Sequence, residues 1–162
     1  MKTTLRILSV TFALLLLALC FVACDKGSAS GLAFKTADGV TVTIGTDAEP
    51  ILAQLGDAVS VNSSESCGGF AGKDYVYTFK GFRVSTTPAE KYQMICKVEV
   101  IDDSVKTPEG LYIGMSRTDA EAAMSAFTSE SVGGNLVYAS GSTKLQVVFR
   151  DDCVSGIIYV AA

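Results

Sequence analysis

The chain has 162 residues, 13 basic against 17 acidic, and a sequence pI of about 4.8. It contains no histidine, which removes Ser-His-Asp triads, histidine metal ligands and imidazole proton relays from consideration. An acidic balance without a basic stripe also argues against nucleic acid as a partner.

In chain order, Lys2 and Arg6 precede an almost wholly apolar run from Ile7 to Leu19. Such a run is shorter than the ~20 residues of a membrane span and has the form of a signal-peptide core. It leads into Phe21-Val22-Ala23-Cys24, a small residue followed by cysteine. This tetrad resembles a bacterial lipobox, which implies cleavage after residue 23 and a diacylglycerol thioether, with palmitate among the acyl groups, on Cys24. Phe21 departs from the usual leucine of that motif. Cys20 is the rival acceptor, but bulky Leu19 stands before it. Two acyl chains hold a protein on a membrane where one is marginal. Removing 1–23 takes away Lys2 and Arg6 and no acid, leaving 11 basic against 17 acidic residues, a net charge of −6. The polar, Gly/Ser-rich stretch 24–31 reads as a lipidated tether reaching at most ~25 Å. The expected location is the outer face of the cytoplasmic membrane, with 32–162 forming one domain.

Within that domain Lys35–Leu55 (KTADGVTVTIGTDAEPILAQL) is echoed by Lys106–Phe127 (KTPEGLYIGMSRTDAEAAMSAF). Each reads Lys-Thr, a turn ending in Gly, a β run ending Ile-Gly, and a capped helix. Apolar residues fall at Ala48, Ile51, Leu52 and Leu55, and again at Ala120, Ala123, Met124 and Phe127. Both sets have the i, i+3, i+4, i+7 spacing of one buried helical stripe. Two repeats, 32–103 and 104–162, are the expectation. Asp47 is expected to cap the first helix, because Pro50 then falls where no intrahelical donor is lost, and Gly56 to stop it. Ser116 and Asp119 read as a capping box for the second.

A polar loop is expected from Asn62 to Asp74, followed by strands Tyr75–Phe79 and Phe82–Thr86 around the hairpin signal Lys80-Gly81, then Met94–Ile101. The second half offers Leu136–Ala139, a turn at Gly141-Ser142, Thr143–Phe149, a turn near Asp151-Asp152, and Gly156–Val160. The predicted class is α+β, with each unit a β run, a helix and a three-stranded antiparallel meander. The pairs Asp102-Asp103 and Asp151-Asp152 suit turns, a weak Ca²⁺ site being the alternative.

The segments SCGGFAGKDYVYTFKGFRVSTTP and IDDSVKTPEGLYIGMSRTDAEAAM resemble small lipoproteins of clostridia-like bacteria that are similar in fold to the beta-lactamase inhibitor protein. The likeness spans roughly Val40–Val160. It implies a tandem repeat whose sheets join into one concave binding surface, though each unit here shows one main helix where the inhibitor pairs two. Inhibitory activity does not carry over, since no contact residues can be matched. A more distant likeness is to envelope-assembly lipoproteins with an Ile-Gly–helix–sheet plan.

Hairpin pairing assigns the faces. With Lys80-Gly81 as the loop, Tyr75, Tyr77, Phe79, Phe82 and Val84 share the side covered by the helices, leaving Val76, Thr78, Arg83 and Ser85 on the other. Met94, Cys96, Val98 and Val100 are assigned to the covered side, and Ile95, Lys97 and Glu99 to the open side. Around Gly141-Ser142, Leu136, Tyr138, Leu145, Val147 and Phe149 go inside, while Lys144, Gln146, Val148 and Arg150 stay out. The candidate binding surface is therefore Arg83, Ser85, Lys97, Glu99, Lys144, Gln146 and Arg150, a local +3 on a chain of −6 that would steer an acidic partner. Tyr75, Tyr77 and Phe79 could instead form a ligand platform, though core is the expectation. Cys67, Cys96 and Cys153 remain after processing, so at most one intramolecular disulfide can form, and Cys67–Cys96 closes the shortest loop within one unit. No nucleophile elbow, Gly-rich phosphate loop or paired CxxC is present, so no catalytic residue, metal or cofactor is assigned. The expected function is a non-catalytic module, anchored in the membrane by its lipid, that binds a protein or cell-envelope partner. A structural or envelope-assembly lipoprotein without a discrete ligand is the alternative.

Overall fold

Alternation of apolar and polar residues within 73–100 and 135–161 builds long antiparallel strands, and the computed structural model, which describes residues 31–162, joins them into one sheet. The elements are β1 (Phe34–Lys35), β2 (Thr41–Val42), α1 (Glu49–Leu55), β3 (Ser60–Glu65), β4 (Lys73–Phe79), β5 (Phe82–Pro88), β6 (Gln93–Val100), α2 (Arg117–Ala123), β7 (Ser129–Val132), β8 (Asn135–Ser140), β9 (Thr143–Arg150) and β10 (Cys153–Ala161). β1 and β2 form a small hairpin. The other eight strands run β3-β4-β5-β6-β10-β9-β8-β7, all antiparallel, with β6 and β10 at the seam. The class is α+β, mostly antiparallel sheet with two short helices. The expected cleavage site, Cys24 and most of the expected tether lie outside the described residues.

Each half contributes one helix and a four-stranded meander, not the three strands expected. The missing strands are the two edges. β3 occupies part of what reads as a polar loop, and its six residues SVNSSE are all exposed. β7 (SESV) is likewise exposed throughout. Neither strand buries a side chain, so neither shows the alternation by which strands are recognised; backbone pairing to β4 and β8 alone defines them.

The inner hairpins pair in the expected register: Phe79 opposite Phe82 and Tyr77 opposite Val84, then Tyr138 opposite Leu145 and Leu136 opposite Val147. Gly81 (φ 83°) and Gly141 (φ 60°) supply the positive φ of these tight turns. Phe79, Phe82, Val84, Val98, Val100, Leu145, Val147, Ile157 and Tyr159 form one buried cluster with Phe34, Val42, Ile44, Leu111, Ala120 and Met124, so both helices and the small hairpin cover the same side of the sheet. Tyr75 and Tyr77 reach that side at its edge and remain half-buried, their rings stacked at 6.0 Å.

One strand departs from the predicted alternation. Ser85 pairs with Lys97 but Thr86 with Ile95, so Cys96 is an extra residue in β6. This bulge turns Ile95 into the core, fully buried, and takes Met94 and Cys96 off the covered side. β10 carries a corresponding extra residue, Ser155, between Val154 and Gly156.

The helix ends follow local chemistry. The cap of α1 falls at Ala48, one residue after the expected Asp47, and has no side-chain bond of its own; Asp47 Oδ1 accepts the Glu49 N–H at 3.1 Å from just before it, and Gly56 (φ 75°) closes α1. Ser116 Oγ accepts the Asp119 N–H, while its own hydroxyl donates to the Asp119 carboxylate at 2.6 Å. The return bond of this capping box therefore runs side chain to side chain. α2 stops at Ala123, so Met124 packs from the cap and Phe127 from the turn that follows. Thr36 and Thr107 make the same two contacts: the backbone N–H donates to the carbonyl four residues on (Val40 and Leu111), and the side-chain oxygen accepts that residue's N–H, at 3.1 and 3.2 Å.

Candidate functional site

The uncovered side of the sheet is read directly from the register. Arg83, opposite Glu99, continues across the seam to Ile158, Gln146 and Val137. The next row runs Val76, Ser85, Lys97, Val160, Lys144 and Ala139. The six charged or polar residues Arg83, Lys97, Glu99, Lys144, Gln146 and Ser85 thus do come together, around two residues of β10. Ile158 lies between Glu99 and Gln146, and Val160 between Lys97 and Lys144. Arg150 sits apart, opposite Cys153 near the β9–β10 turn.

The apolar centre does not follow from the pairing of the two inner hairpins; its signal is the alternation in Gly-Ile-Ile-Tyr-Val, where Ile158 and Val160 face away from the buried Ile157 and Tyr159. Ile158, Val160, Val148 and Val137 are half-buried, consistent with lysine stems lying along them. Ser85 is buried, only 8% exposed, so it contributes backbone and shape more than an accessible hydroxyl.

Glu99 is shared by Arg83 at 3.8 Å and Lys97 at 3.6 Å, with all three side chains partly exposed. Such pairs contribute ~0–1 kcal/mol each and mainly fix side-chain directions. Lys144 has no ion-pair partner among the described residues. The centre is therefore three cations against one carboxylate. Over the whole open side Asp74, at the start of β4, and Glu130, on the edge strand β7, are added, so four cations face three acids and the excess is +1, not the +3 expected. Asp74 is engaged by the Thr87 hydroxyl at 2.8 Å.

Cys96 lies at the bulge, where its thiol donates to the Ser85 carbonyl at 3.3 Å. Burial, and then the nearby Asp74 carboxylate, push its pKa up. Cys67, Cys96 and Cys153 stand as separate thiols, so the expected Cys67–Cys96 bridge is not formed in this structure. The acidic pairs serve turns. Asp151 and Asp152 both have positive φ (52° and 57°) between β9 and β10, as a two-residue hairpin of this kind demands. Asp102 accepts the N–H and hydroxyl of Ser104, bonds that hold its carboxyl below the ordinary range.

Arg117 was not anticipated. From the first turn of α2 it donates to the Gly134 carbonyl at 2.8 Å and the Asp152 carboxylate at 3.3 Å, and its guanidinium lies 3.9 Å from the Phe149 ring centroid. It ties the helix to two hairpin turns. Tyr159, fully buried, donates to Glu109 Oε2 at 2.7 Å and pins the second Lys-Thr turn to the sheet.

No family model matches the chain, and no curated protein matches it. Among solved structures, an extracellular protein containing a SCP domain from Bacillus anthracis str. Ames is similar, with a TM-score of 0.50 and 19% identity over 83% of this chain. The match spans 48% of that chain, about half its length, and is a likeness of fold.

Proposed function

We propose that the chain is an extracytoplasmic lipoprotein, held by Cys24 at the outer face of the cytoplasmic membrane, whose domain binds a protein or cell-envelope partner through the open side of its sheet. The observation that carries the binding reading is the centre of that side: a half-buried apolar strip at Ile158 and Val160 flanked by Arg83, Lys97 and Lys144, the last with no ion-pair partner among the described residues. An apolar centre with a cationic rim is the composition of a recognition surface for an acidic partner. The sequence of residues 1–24 supports the anchor, and no helix among the described residues is long and apolar enough to cross a membrane. The fold-level likeness to an extracellular protein is compatible with that location.

The two halves are further read as copies of one unit, arranged as in the beta-lactamase inhibitor-like plan. The recurrence of the Thr36 and Thr107 hydrogen bonds and the mirrored strand order support this reading.

Arg83→Glu combined with Lys144→Glu tests the surface. With the melting temperature unchanged, surface crosslinking is expected to lose the partner captured by the parent protein. The same partners at the same yield and salt dependence would overturn the proposal. For the anchor, Cys24→Ala is expected to release the protein from the membrane fraction or leave the precursor uncleaved; palmitate still incorporated in that variant would refute lipidation.

A further inference from the structure

Two exposed aromatic side chains stand on the loops at one end of the sheet, Phe70 at 49% and Tyr92 at 42% exposure. Register puts the β3–β4 loop (66–72), the β5–β6 turn (89–92) and the β8–β9 turn at Gly141-Ser142 at this same end. Val160 is opposite both Lys144 and Lys97, and from there β6 runs back to Gln93, opposite Pro88. The turns at Lys80-Gly81 and Asp151-Asp152 lie at the other end.

The two aromatic loops are joined. The Ser66 N–H donates to the Gly72 carbonyl at 3.0 Å, which closes the first loop at its base, and the Ala89 N–H donates to the Tyr92 carbonyl at 2.8 Å across the turn. Between them the Ser66 and Thr87 hydroxyls meet at 3.5 Å, and Gln93 Nε2 donates to the Lys73 carbonyl at 3.2 Å. Ser66–Gly72 contains no charged residue. Over 65–73 and 89–93, Lys73 and Lys91 balance Glu65 and Glu90, on a chain where acids outnumber bases 17 to 13. Both lysines are exposed, and neither makes an ion pair among the described residues. Rings beside lysines suit the headgroup region of a bilayer, the rings at the acyl boundary and the ammonium groups at lipid phosphates.

The expected anchor joins the domain at this end. Gly31 lies against Ser140, beside the β8–β9 turn. Seven residues separate Gly31 from Cys24, a reach of ~25 Å at full extension. We infer that the domain docks on the lipid bilayer through Phe70 and Tyr92, with Lys73 and Lys91 at the phosphates. This inference rests on the lipid anchor at Cys24. Two rings that would hold a free protein only weakly suffice here, because the anchor has already confined the domain to the surface. The open side of the sheet stays clear of lipid and free for its partner.

The chain has no tryptophan, so Phe70→Trp places a single fluorophore in the loop. The full chain is reconstituted on the outer surface of vesicles of equimolar phosphatidylethanolamine and phosphatidylglycerol. Lipids brominated just below the headgroup should quench Phe70→Trp about twofold or more and leave Lys80→Trp, at the far end, unquenched. Cys67 gives a second readout. On these vesicles, unlike in the domain away from lipid, an impermeant maleimide should label Cys67 several-fold more slowly than Cys153. Phe70→Ser with Tyr92→Ser should restore rapid labelling of Cys67 while the protein still sediments with the vesicles. Sedimentation with no quenching, or with equal labelling of the two thiols, would overturn the docking and leave the anchor standing. Failure to sediment would overturn both.

Discussion

Tyr159→Phe offers a sharp test of how the second half is tied together. Tyr159 is fully buried, and its hydroxyl donates to the half-exposed Glu109. A hydrogen bond to a charged acceptor contributes ~1.5–3 kcal/mol. Because Glu109 can regain water when the hydroxyl is removed, the lower figure applies, and the variant should be about 1.5 kcal/mol less stable at neutral pH. The pH dependence has the opposite sign. Burial first, and then the Glu109 carboxylate, raise the Tyr159 pKa far above its ordinary 10.0. Above that value the unfolded chain releases a proton that the folded chain keeps. The folded state then binds more protons, so parent stability falls as pH rises, by about 1.4 kcal/mol per pH unit from this group alone. Phenylalanine has no such proton. Tyr77 and Tyr138, whose pKa values are also raised chiefly by burial, remain in both proteins and cancel in the comparison. The two stabilities should therefore cross about one unit above the ordinary tyrosine value, near pH 11. Urea unfolding followed by far-UV circular dichroism between about pH 8 and about pH 11.5 measures both curves. Parallel curves across that range, or a variant more stable than the parent at neutral pH, would refute the reasoning.

Three further substitutions or titrations probe other joints. Arg117→Ala removes the bonds to Gly134 and Asp152 and the contact with Phe149; a loss of ~1–2 kcal/mol in denaturant unfolding is expected, with Arg117→Lys recovering only part of it. Gly81→Ala should cost more than ~2 kcal/mol, because φ is +83° and the new Cβ would collide with Ser104 and Val105, whereas Gly141→Ala, with the same sign of φ but open space around it, should cost less. In the folded domain, Cys67 and Cys153 should react quickly with a thiol reagent and the half-buried Cys96 slowly, and the unfolded, unreduced chain should show all three; one free thiol among the three would establish a bridge.

What could be read from the sequence were the elements that bury something. The register of both inner hairpins follows from Lys80-Gly81 and Gly141-Ser142, because a two-residue turn leaves one way to pair the flanking strands. The edge strands were hidden because Ser60–Glu65 and Ser129–Val132 contact solvent on both faces and carry no period. The bulges were hidden for a different reason. Met94-Ile95-Cys96 is apolar at three successive positions, so either parity fits and only the placement of Thr86 beside Ile95 decides. The charge count of the open side depended on the strand ends, since Asp74 enters it only when β4 starts before Tyr75 and Glu130 only when β7 is in place.

The two bulges explain why one side of the sheet is covered and the other free. At the seam β6 and β10 pair only from Lys97 to Val100 and from Ile157 to Val160. Before the extra residue each strand leaves its seam partner, and its backbone is met by the Ile-Gly segment of its own half. The Ile95 N–H donates to Thr46 and its carbonyl accepts from Gly45, just as the Val154 N–H donates to Met115 and its carbonyl accepts from Gly114. Bridges at Asp47–Met94 and Ser116–Cys153 complete both joints. Each helix begins one or two residues later, so the joint decides over which side the helix passes, and the inward turn of Ile95 and Val154 supplies apolar surface beneath it. A strand without the bulge would keep strict alternation and turn these side chains the other way. The helices therefore gather on one side, the half-buried Ile158 and Val160 are left on the other, and the position of the candidate surface follows from two inserted residues, Cys96 and Ser155.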